Sequence, residues 1–290
     1  MPAVIHALTI DVEDYYSIYR RDLFGVEGPP TDAVVRNTNR VLERLARHGV
    51  KATFFMLGEV AATFPDLTRK IVAEGHEIGV HGYLHRQVFK LSRDEFRREV
   101  GDAKKRIEDA AGVRVEGHRA PAFSIRPDTA WGLEVLAGLG LVYDSSIFPI
   151  AGRRYGWPGF APNIQVMKLP CGVNFIEAPL STVTILGKAL PVCGGGYFRH
   201  FPYMITRWAM RHIGKVRPAI VYMHPHELDT TPGPEDFVAA LKKAPPPVRR
   251  FHRLQMRHRK SFEKKLERLL TDFQFAPLRN VISTVLHRKA

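Results

Sequence analysis

The stretch Gly75-His76-Glu77-Ile78-Gly79-Val80-His81-Gly82-Tyr83-Leu84-His85 places a pair of histidines directly behind a short apolar run. Residues 77–80 have the length and apolar character of a buried strand. His81 and His85 are spaced i and i+4, which predicts that they lie on one face of a helical turn and can share a metal ion. Such a pair also occurs without a metal, so the neighbouring segments are needed to decide whether His81 and His85 bind one.

Strands and helices alternate on both sides of this stretch. Strands are predicted over residues 5–10, 52–57, 77–80, 113–119, 141–143 and 219–223, and helices over residues 32–48, 65–74, 92–111 and 127–138. Ser92 is a predicted N-cap with Glu95 at the capping-box position. This alternation is typical of an α/β protein with a parallel sheet, either open or closed.

Two regions depart from the alternation. Residues 149–201 are rich in Gly and Pro and have short β-like runs at 165–169 and 182–185, which predicts an irregular loop or hairpin insert over one end of the sheet. The run Pro245-Pro246-Pro247 separates a body, residues 1–244, from a C-terminal extension, residues 245–290. The extension is predicted to be a basic amphipathic helix that packs on the body through Phe251, Leu254, Phe262, Leu266 and Leu269.

Polar residues follow the ends of several predicted strands. They are Asp11, Glu13 and Asp14 after the first strand, Arg119 after the fourth and His224 after the last. Taken singly, these are also explained as a solvated acidic loop, a surface arginine and a loop histidine. In a parallel sheet, however, the carboxyl ends of the strands lie on one side, so these residues are expected to meet His81 and His85. Because Gly82 occupies the position of Glu in His-Glu-x-x-His, the acidic cluster is the expected source of a general base.

Five segments together resemble the motifs of the NodB-homology polysaccharide deacetylases, carbohydrate esterase family four. The segments are Thr9–Asp14, Gly75–His85, Arg119–Pro121, Tyr143–Ser146 and Met223–Pro225. The likeness extends over residues 5–228. Residues 194–199 and the C-terminal extension are similar to a bacterial branch of this family that is associated with exopolysaccharide biosynthesis.

The resemblance implies an α/β fold with a distorted (β/α)7-type barrel and one divalent metal ion, usually zinc. The implied metal ligands are His81, His85 and either Glu13 or Asp14, since Val12 occupies the position where the family commonly has a second Asp. The implied catalytic residues are Asp11 as general base, Arg119 as the residue that orients it, His224 as general acid and Asp144 as the carboxylate that tunes this acid.

The reaction implied by the resemblance is metal-dependent hydrolysis of the acetamide of N-acetylated sugar residues in an oligo- or polysaccharide. Trp157 and Tyr197 lie in glycine-rich context and are predicted to stack on sugars, and Pro121 is a further predicted substrate contact; core packing is the alternative for the aromatic residues. One rival function is an allantoinase- or imidase-like amide hydrolase on the same barrel. Another is a catalytically silent glycan-binding scaffold, which the altered segment Asp11–Asp14 keeps open.

Charge, cysteine content and apolar stretches limit the binding partners and the cellular location that the sequence predicts. The formal net charge of +14 is typical of nucleic-acid-binding proteins. Its concentration in residues 249–265 fits an amphipathic helix better, so no nucleic-acid partner is predicted; weak association with a membrane surface is a further interpretation. Cys171 and Cys193 are expected to be reduced thiols. Residues 1–9 lack a signal-peptide pattern and no apolar stretch reaches membrane-spanning length, so we expect a soluble, cytoplasmic protein of undetermined oligomeric state.

Overall fold

The computed structural model describes residues 4–152 and 155–288. Its strands are β1 (Ile5–Val12), β2 (Thr53–Met56), β3 (Glu77–Val80), β4 (Gly117–His118), β5 (Tyr143–Asp144), β6 (Gln165–Lys168), β7 (Asn174–Glu177), β8 (Thr182–Ile185), β9 (Lys188–Pro191), β10 (Ile220–Met223) and β11 (Gln274–Ala276). Its helices are α1 (Tyr15–Phe24), α2 (Ala33–Arg47), α3 (Gly58–Thr63), α4 (Pro65–Ala73), α5 (Arg93–Ala111), α6 (Trp131–Gly138), α7 (Gly195–His200), α8 (Tyr203–Gly214), α9 (Glu235–Lys243), α10 (Pro246–Met256), α11 (Arg259–Asp272) and α12 (Leu278–His287).

Within the described ranges, seven parallel strands follow one another in the order β10-β1-β2-β3-β4-β5-β7. The two ends of this sheet approach each other. Ser181, after β7, accepts a hydrogen bond of 2.7 Å from the backbone N–H of Ile220 on β10, and Gly194 forms a bridge with Tyr222. The sheet therefore curls into a distorted barrel, which confirms the predicted fold class, and the carboxyl ends of its strands share one end of the barrel.

The helices predicted from periodicity are present with small shifts at their ends. Helices α2, α4 and α5 agree with prediction to within about two residues. Before α5, the Ser92 hydroxyl accepts from the Glu95 N–H at 3.3 Å and Glu95 accepts from the Ser92 N–H at 2.8 Å, so the predicted capping box is confirmed. Helix α6 begins at Trp131 because residues 127–129 form a separate 3-10 turn.

The region predicted as an irregular insert, residues 149–201, is more regular than expected. It contains the antiparallel hairpins β6–β7 and β8–β9. Strand β7 lies beside β5 in the main sheet, so this hairpin completes the barrel instead of covering its end. Strand β7 was not predicted, because the four residues Asn174–Glu177 are too few to show an alternation of apolar and polar side chains.

The C-terminal extension is part of the core rather than a single attached helix. It forms three helices, α10, α11 and α12, and a break at His258, where φ is +65°, separates the first two. Its strand β11 pairs with β1. Phe262, Leu266 and Leu269 on α11 are fully buried, whereas α10 has no buried residue and Leu254 is exposed. The predicted helical extension is therefore confirmed, but it is divided into several helices, and the boundary between residues 244 and 245 stays a prediction.

We expect Leu266→Ala to lower the free energy of unfolding by about 2–5 kcal/mol, because it leaves a cavity where α11 packs on the body. Leu254→Ala is the matched control and is expected to cost less than about 0.5 kcal/mol, since Leu254 is 49% exposed. Chemical denaturation of both variants measures the difference. Equal losses would mean that α11 does not pack as described.

Two further sequence expectations concern the thiols and the membrane. Cys171 is exposed and Cys193 buried, and both are free, as expected. In residues 4–152 and 155–288, no helix is both long and apolar enough to cross a bilayer.

Candidate metal centre and active site

Asp11 lies on β1 and is held by Arg119, which directly follows β4. The Arg119 guanidinium donates to Asp11 Oδ1 at 2.9 Å and to the Thr9 hydroxyl at 2.7 Å. It also donates twice to Ser145, to the backbone carbonyl at 3.0 Å and to the hydroxyl at 2.9 Å. Arg119 is fully buried and Asp11 is 1% exposed. The arginine is therefore rigid, and one Asp11 oxygen is occupied while Oδ2 stays available to the site.

Glu13, His81 and His85 form a compact group beside Asp11. Glu13 Oε2 lies 3.0 Å from His85 Nε2 and 3.7 Å from His81 Nε2. His81 Nδ1 is 2.8 Å from the backbone carbonyl of Arg119, which as acceptor fixes the proton on Nδ1 and leaves the Nε2 lone pair facing Glu13. The chain thus points two imidazole nitrogens and one carboxylate oxygen at a common point.

The two histidines meet through a loop, and the prediction of a helical turn is wrong. Gly82 has φ +78° and His85 has φ +60°, both in the left-handed region, so the chain after β3 turns sharply. A side chain at Gly82 would also come within 3.2 Å of the Pro121 ring. Two backbone reversals, rather than helical periodicity, bring the i and i+4 imidazoles together.

The structure separates the two carboxylates that the sequence left as alternatives. Asp14 caps α1: its Oδ2 accepts from the backbone N–H of Ser17 at 3.0 Å and of Thr31 at 2.9 Å. Its Oδ1 accepts from the Thr31 hydroxyl at 3.0 Å. Glu13 instead faces the histidines, so the geometry favours Glu13 and disfavours Asp14 as a metal ligand.

This group fits a divalent cation. Glu13 Oε2 is buried and makes no well-aligned hydrogen bond to a described residue, and such an unpaired buried atom calls for a partner. Burial alone would raise the pKa of Glu13, but the positive charges of His85 and His224 hold it well below its usual value. Two imidazoles with an ionised carboxylate are a common donor set for zinc.

His224 stands on the opposite side of Asp11, after β10. Its Nε2 is 3.9 Å from Asp11 Oδ2 and 3.8 Å from Glu13 Oε1, and its ring is 21% exposed. Its Nδ1 is 3.5 Å from Glu227 Oε2. Burial opposes the charged ring, yet the carboxylates of Glu13, Glu227 and Asp11 outweigh it and raise the pKa of His224 to about 9.

Glu227 and Arg199 are site residues that sequence reasoning missed. Glu227 is fully buried and accepts from Arg199 Nη1 at 2.9 Å and from the backbone N–H of His224 at 3.1 Å. An Arg–carboxylate pair therefore holds His224 much as Arg119 holds Asp11. Pro225 after His224 was the available signal, since a proline there begins the 3-10 turn that returns Glu227 to the histidine.

The predicted role of Asp144 in tuning His224 is wrong. Asp144 Oδ1 lies 2.7 Å from His118 Nδ1 and accepts from the Ser146 hydroxyl at 2.7 Å. All three side chains are fully buried. Asp144 therefore organises the core between β4 and β5, and Glu227 occupies the place beside His224 that sequence similarity gave to Asp144.

An aromatic cluster connects His224 with Tyr197. Its rings are Tyr222, Phe123, Phe148, Tyr155 and Tyr197, each within 6.5 Å of another. Tyr222 packs edge-on against His224 at 5.9 Å. Gly194 and Gly195 begin α7 here because a Cβ at either position would come within 2.6 Å of the Tyr222 ring. The glycine run thus allows α7 to approach β10 and brings Arg199 to Glu227.

The three predicted substrate contacts differ in position. Tyr197 is half-buried at the end of the aromatic cluster, with its hydroxyl 2.8 Å from that of Tyr155. Trp157 packs on Phe160 at 5.2 Å, and its backbone N–H donates to the Phe148 carbonyl. Pro121 is buried under the Gly82 loop, so the prediction that it contacts substrate is not supported.

The C-terminal extension braces this end of the barrel. Arg259 on α11 lies over the Tyr15 ring at 4.7 Å and donates to the Asp229 carbonyl at 3.3 Å. His252 on α10 is 2.9 Å from the Tyr15 hydroxyl. Tyr15 in turn contacts the His226 ring at 5.2 Å. The extension therefore supports the segment that carries His224 and His226.

Comparison with known families agrees with this geometry. Residues 27–143 match the family described as Polysaccharide deacetylase. Over these residues the chain is similar to the polysaccharide deacetylases. Residues 145–283 match a second family, described as a domain of unknown function, DUF3473. His224, Glu227 and Arg199 all lie in this second region, so the candidate site of the deacetylase domain is completed by residues from DUF3473.

Sequence relatives of the deacetylase domain are partial matches. A peptidoglycan-N-acetylglucosamine deacetylase of Bacillus cereus is 41% identical over 90 residues, which are 31% of this chain and 30% of that protein. A chitooligosaccharide deacetylase of Sinorhizobium fredii is 34% identical over 122 residues, 42% of this chain and 55% of that protein. The chain thus spans about a third to a half of the length of these relatives.

Structural similarity extends over the whole chain and bears on the fold alone. A Mycobacterium smegmatis structure described as a polysaccharide deacetylase aligns with a TM-score of 0.64 at 20% identity, covering 98% of this chain and 90% of its own. The peptidoglycan deacetylase PdaC of Bacillus subtilis aligns with a TM-score of 0.50 at 15% identity, covering 100% and 95%. These alignments agree with the distorted barrel found here.

Proposed function

We propose that this protein hydrolyses the acetamide group of N-acetylated sugar residues with the help of a divalent cation. One observation carries the proposal: two separately held groups lie beside the Glu13, His81 and His85 cluster. Asp11 is held by Arg119, and His224 is held by Glu227 and Arg199. A base and an acid beside a cation site are what hydrolysis of an amide requires.

Glu13, His81 and His85 would hold the cation, and their donor set favours zinc. A divalent cation bound there supplies Lewis acidity toward the acetyl carbonyl and lowers the pKa of water. The ring of His81 cannot swing away, because its Nδ1–H donates to the Arg119 carbonyl. Loss of a supporting hydrogen bond of this kind typically lowers metal affinity about 10- to 100-fold.

Asp11 acts as the general base. Its Oδ1 is saturated by Arg119, so Oδ2 takes the proton from the attacking water. Arg119 also fixes the direction of the carboxylate, so no reorientation is needed as the water attacks the carbonyl carbon. Glu13 does not perform this role in the proposal, since both of its oxygens face imidazoles.

His224 acts as the general acid. The amine of the sugar is a poor leaving group and must receive a proton as the C–N bond breaks. The imidazolium carries this proton on Nε2, on the side of Asp11, while Nδ1 faces Glu227. Glu227 stabilises the charged ring, and Arg199 prevents Glu227 from moving away.

The substrate class rests on the partial relatives and on the site. The Bacillus cereus and Sinorhizobium fredii relatives are named for peptidoglycan N-acetylglucosamine and chitooligosaccharide, both N-acetylated glycans. The half-buried ring of Tyr197, at the outer end of the aromatic cluster, offers a surface for a pyranose ring. A role in exopolysaccharide biosynthesis remains a prediction from sequence resemblance, and the cytoplasmic location also remains a prediction.

Acetate release tests this function. Purified protein that contains about one equivalent of zinc is incubated with N-acetylglucosamine oligomers of increasing length and, separately, with allantoin. We expect acetate from the oligomers and no reaction with allantoin. Oligomer binding without acetate release, in a protein that holds zinc, would contradict the proposal and favour a glycan-binding scaffold.

We expect Glu227→Gln to slow amide hydrolysis about 10- to 100-fold while leaving hydrolysis of an activated aryl acetate nearly unchanged. The physical reason is that a phenolate leaves without a proton, whereas an amine needs the acid that Glu227 stabilises. Measuring kcat for both substrates separates a role in acid catalysis from a general loss of structure. Asp144→Asn is the control, because its contacts predict an equal effect on both substrates through stability.

A further inference from the structure

Glu13 lies between two pairs of histidines. Its Oε2 faces Nε2 of His85 at 3.0 Å and of His81 at 3.7 Å. Its Oε1 faces His224 Nε2 at 3.8 Å and His226 Nδ1 at 3.7 Å. The two oxygens of one buried carboxylate thus serve two separate groups of ligand atoms, and the proposed function uses only the first group for a cation.

The second group has the geometry of an ion site. Two donors bound at about 2.1 Å to one tetrahedral ion are about 3.4 Å apart. The ligand atoms of Glu13, His224 and His226 all lie within 4.8 Å of one another. The two rings are stacked, 4.9 Å apart and inclined by 21°, and each presents one nitrogen to Glu13 Oε1. Only small rotamer changes are needed to close the group on an ion.

His226 is otherwise unexplained. Its side chain is 9% exposed, and its Nδ1 makes no well-aligned hydrogen bond to a described residue. A buried ring nitrogen without a partner costs free energy, about 1–3 kcal/mol for a typical buried polar group. Its position against Tyr15 requires an aromatic shape, but a phenyl ring would supply this without the cost. A cation bound to His226 Nδ1 would supply the missing partner and remove this cost.

We propose that Glu13, His224 and His226 form a second divalent-cation site, whose occupation blocks catalysis. The inhibitory part rests on the proposed function, in which His224 is the general acid. His224 Nε2 is the atom that faces Asp11 and Glu13. A nitrogen whose lone pair binds a cation cannot carry the proton that the leaving amine needs.

The second site is weaker than the first and selects the same kind of ion. The first cation neutralises Glu13 and repels a second one a few ångströms away, so the second site fills only at excess ion. Its two imidazoles favour zinc, copper and nickel over magnesium and calcium, which prefer oxygen ligands. Zinc is therefore expected to support activity at one equivalent and to suppress it at excess.

Equilibrium dialysis against zinc, followed by metal analysis, tests the site without reference to activity. We expect about two ions per chain at excess zinc in the native protein and about one in His226→Phe, which keeps a ring against Tyr15 but has no ligand atom. His226→Leu is the second variant, used if the first does not fold by circular dichroism. Magnesium in place of zinc is expected to leave the second site empty.

Acetate release supplies the second readout. In the native protein, the rate at excess zinc divided by the rate at one equivalent is expected to fall toward about 0.01, the loss of an acid catalyst. In His226→Phe this ratio is expected to stay near one, whatever the variant's own rate. If the native protein binds two zinc ions but releases no acetate, the second cation site stands and only the proposed function is contradicted. Equal zinc stoichiometry in native protein and both variants would overturn the second site.

Discussion

Asp11→Asn is expected to lower kcat/KM for acetate release by about 10²- to 10⁴-fold, the usual contribution of a general base. The substitution is nearly isosteric, and the amide oxygen can still accept the hydrogen bond that Arg119 donates at 2.9 Å. What is lost is the capacity of Oδ2 to take a proton from water. Glu13, His81 and His85 are unchanged, so zinc affinity is expected to stay within a few-fold of the native value.

Steady-state kinetics together with metal analysis check this prediction. Asp102→Asn is the matched control, because it makes the same chemical change on the exposed face of α5 and is expected to have no effect on either quantity. Full activity in Asp11→Asn would remove Asp11 from the role of base. Loss of zinc in Asp11→Asn would instead make Asp11 a ligand and leave the base unassigned.

The second large effect is expected from His85→Ala. It removes one of the two imidazoles that face Glu13 Oε2, and zinc affinity is expected to fall by more than about 100-fold, beyond the effect of losing a supporting hydrogen bond. Acetate release is expected to fall with the bound zinc. His85 is preferable to His81 for this test, because His81 also bonds the Arg119 carbonyl and its loss would disturb the base.

Zinc titration followed by activity at each zinc concentration measures this effect. His212→Ala serves as the control, since His212 is exposed on α8 and stacks only on Trp208 among the described ring contacts. A His85→Ala protein that binds zinc as tightly as the native chain would show that His85 is not a ligand.

The parts of the site that sequence reasoning located are those that follow strands. Asp11, Arg119 and His224 each lie at or just after the carboxyl end of a parallel strand, and the parallel order of the barrel brings them to one end. Their convergence therefore follows from topology, which the alternation of strands and helices already indicates. The choice between Glu13 and Asp14 did not follow, because it depends on which side chain caps α1.

The parts that sequence reasoning missed depend on contacts between distant segments. Arg199 reaches Glu227 only because Gly194 and Gly195 let α7 approach Tyr222. No local pattern encodes a buried ion pair 28 residues apart. Family resemblance alone suggested Asp144 for this position, and in the structure Asp144 contacts His118 instead. The pairing of β11 with β1 was also not predicted, because a strand of three residues is too short to show an alternation of apolar and polar residues.

In the proposed site, His81, His85 and Glu13 bind one cation, and the neighbouring carboxylate of Asp11 does not bind it. Anomalous diffraction at the zinc edge, from crystals of protein loaded with one equivalent of zinc, tests this directly. We expect a single peak about 2.0–2.2 Å from Glu13 Oε2, His81 Nε2 and His85 Nε2, with Asp11 hydrogen-bonded to Arg119 and outside bonding distance. A peak elsewhere, or one bonded to Asp11, would contradict it.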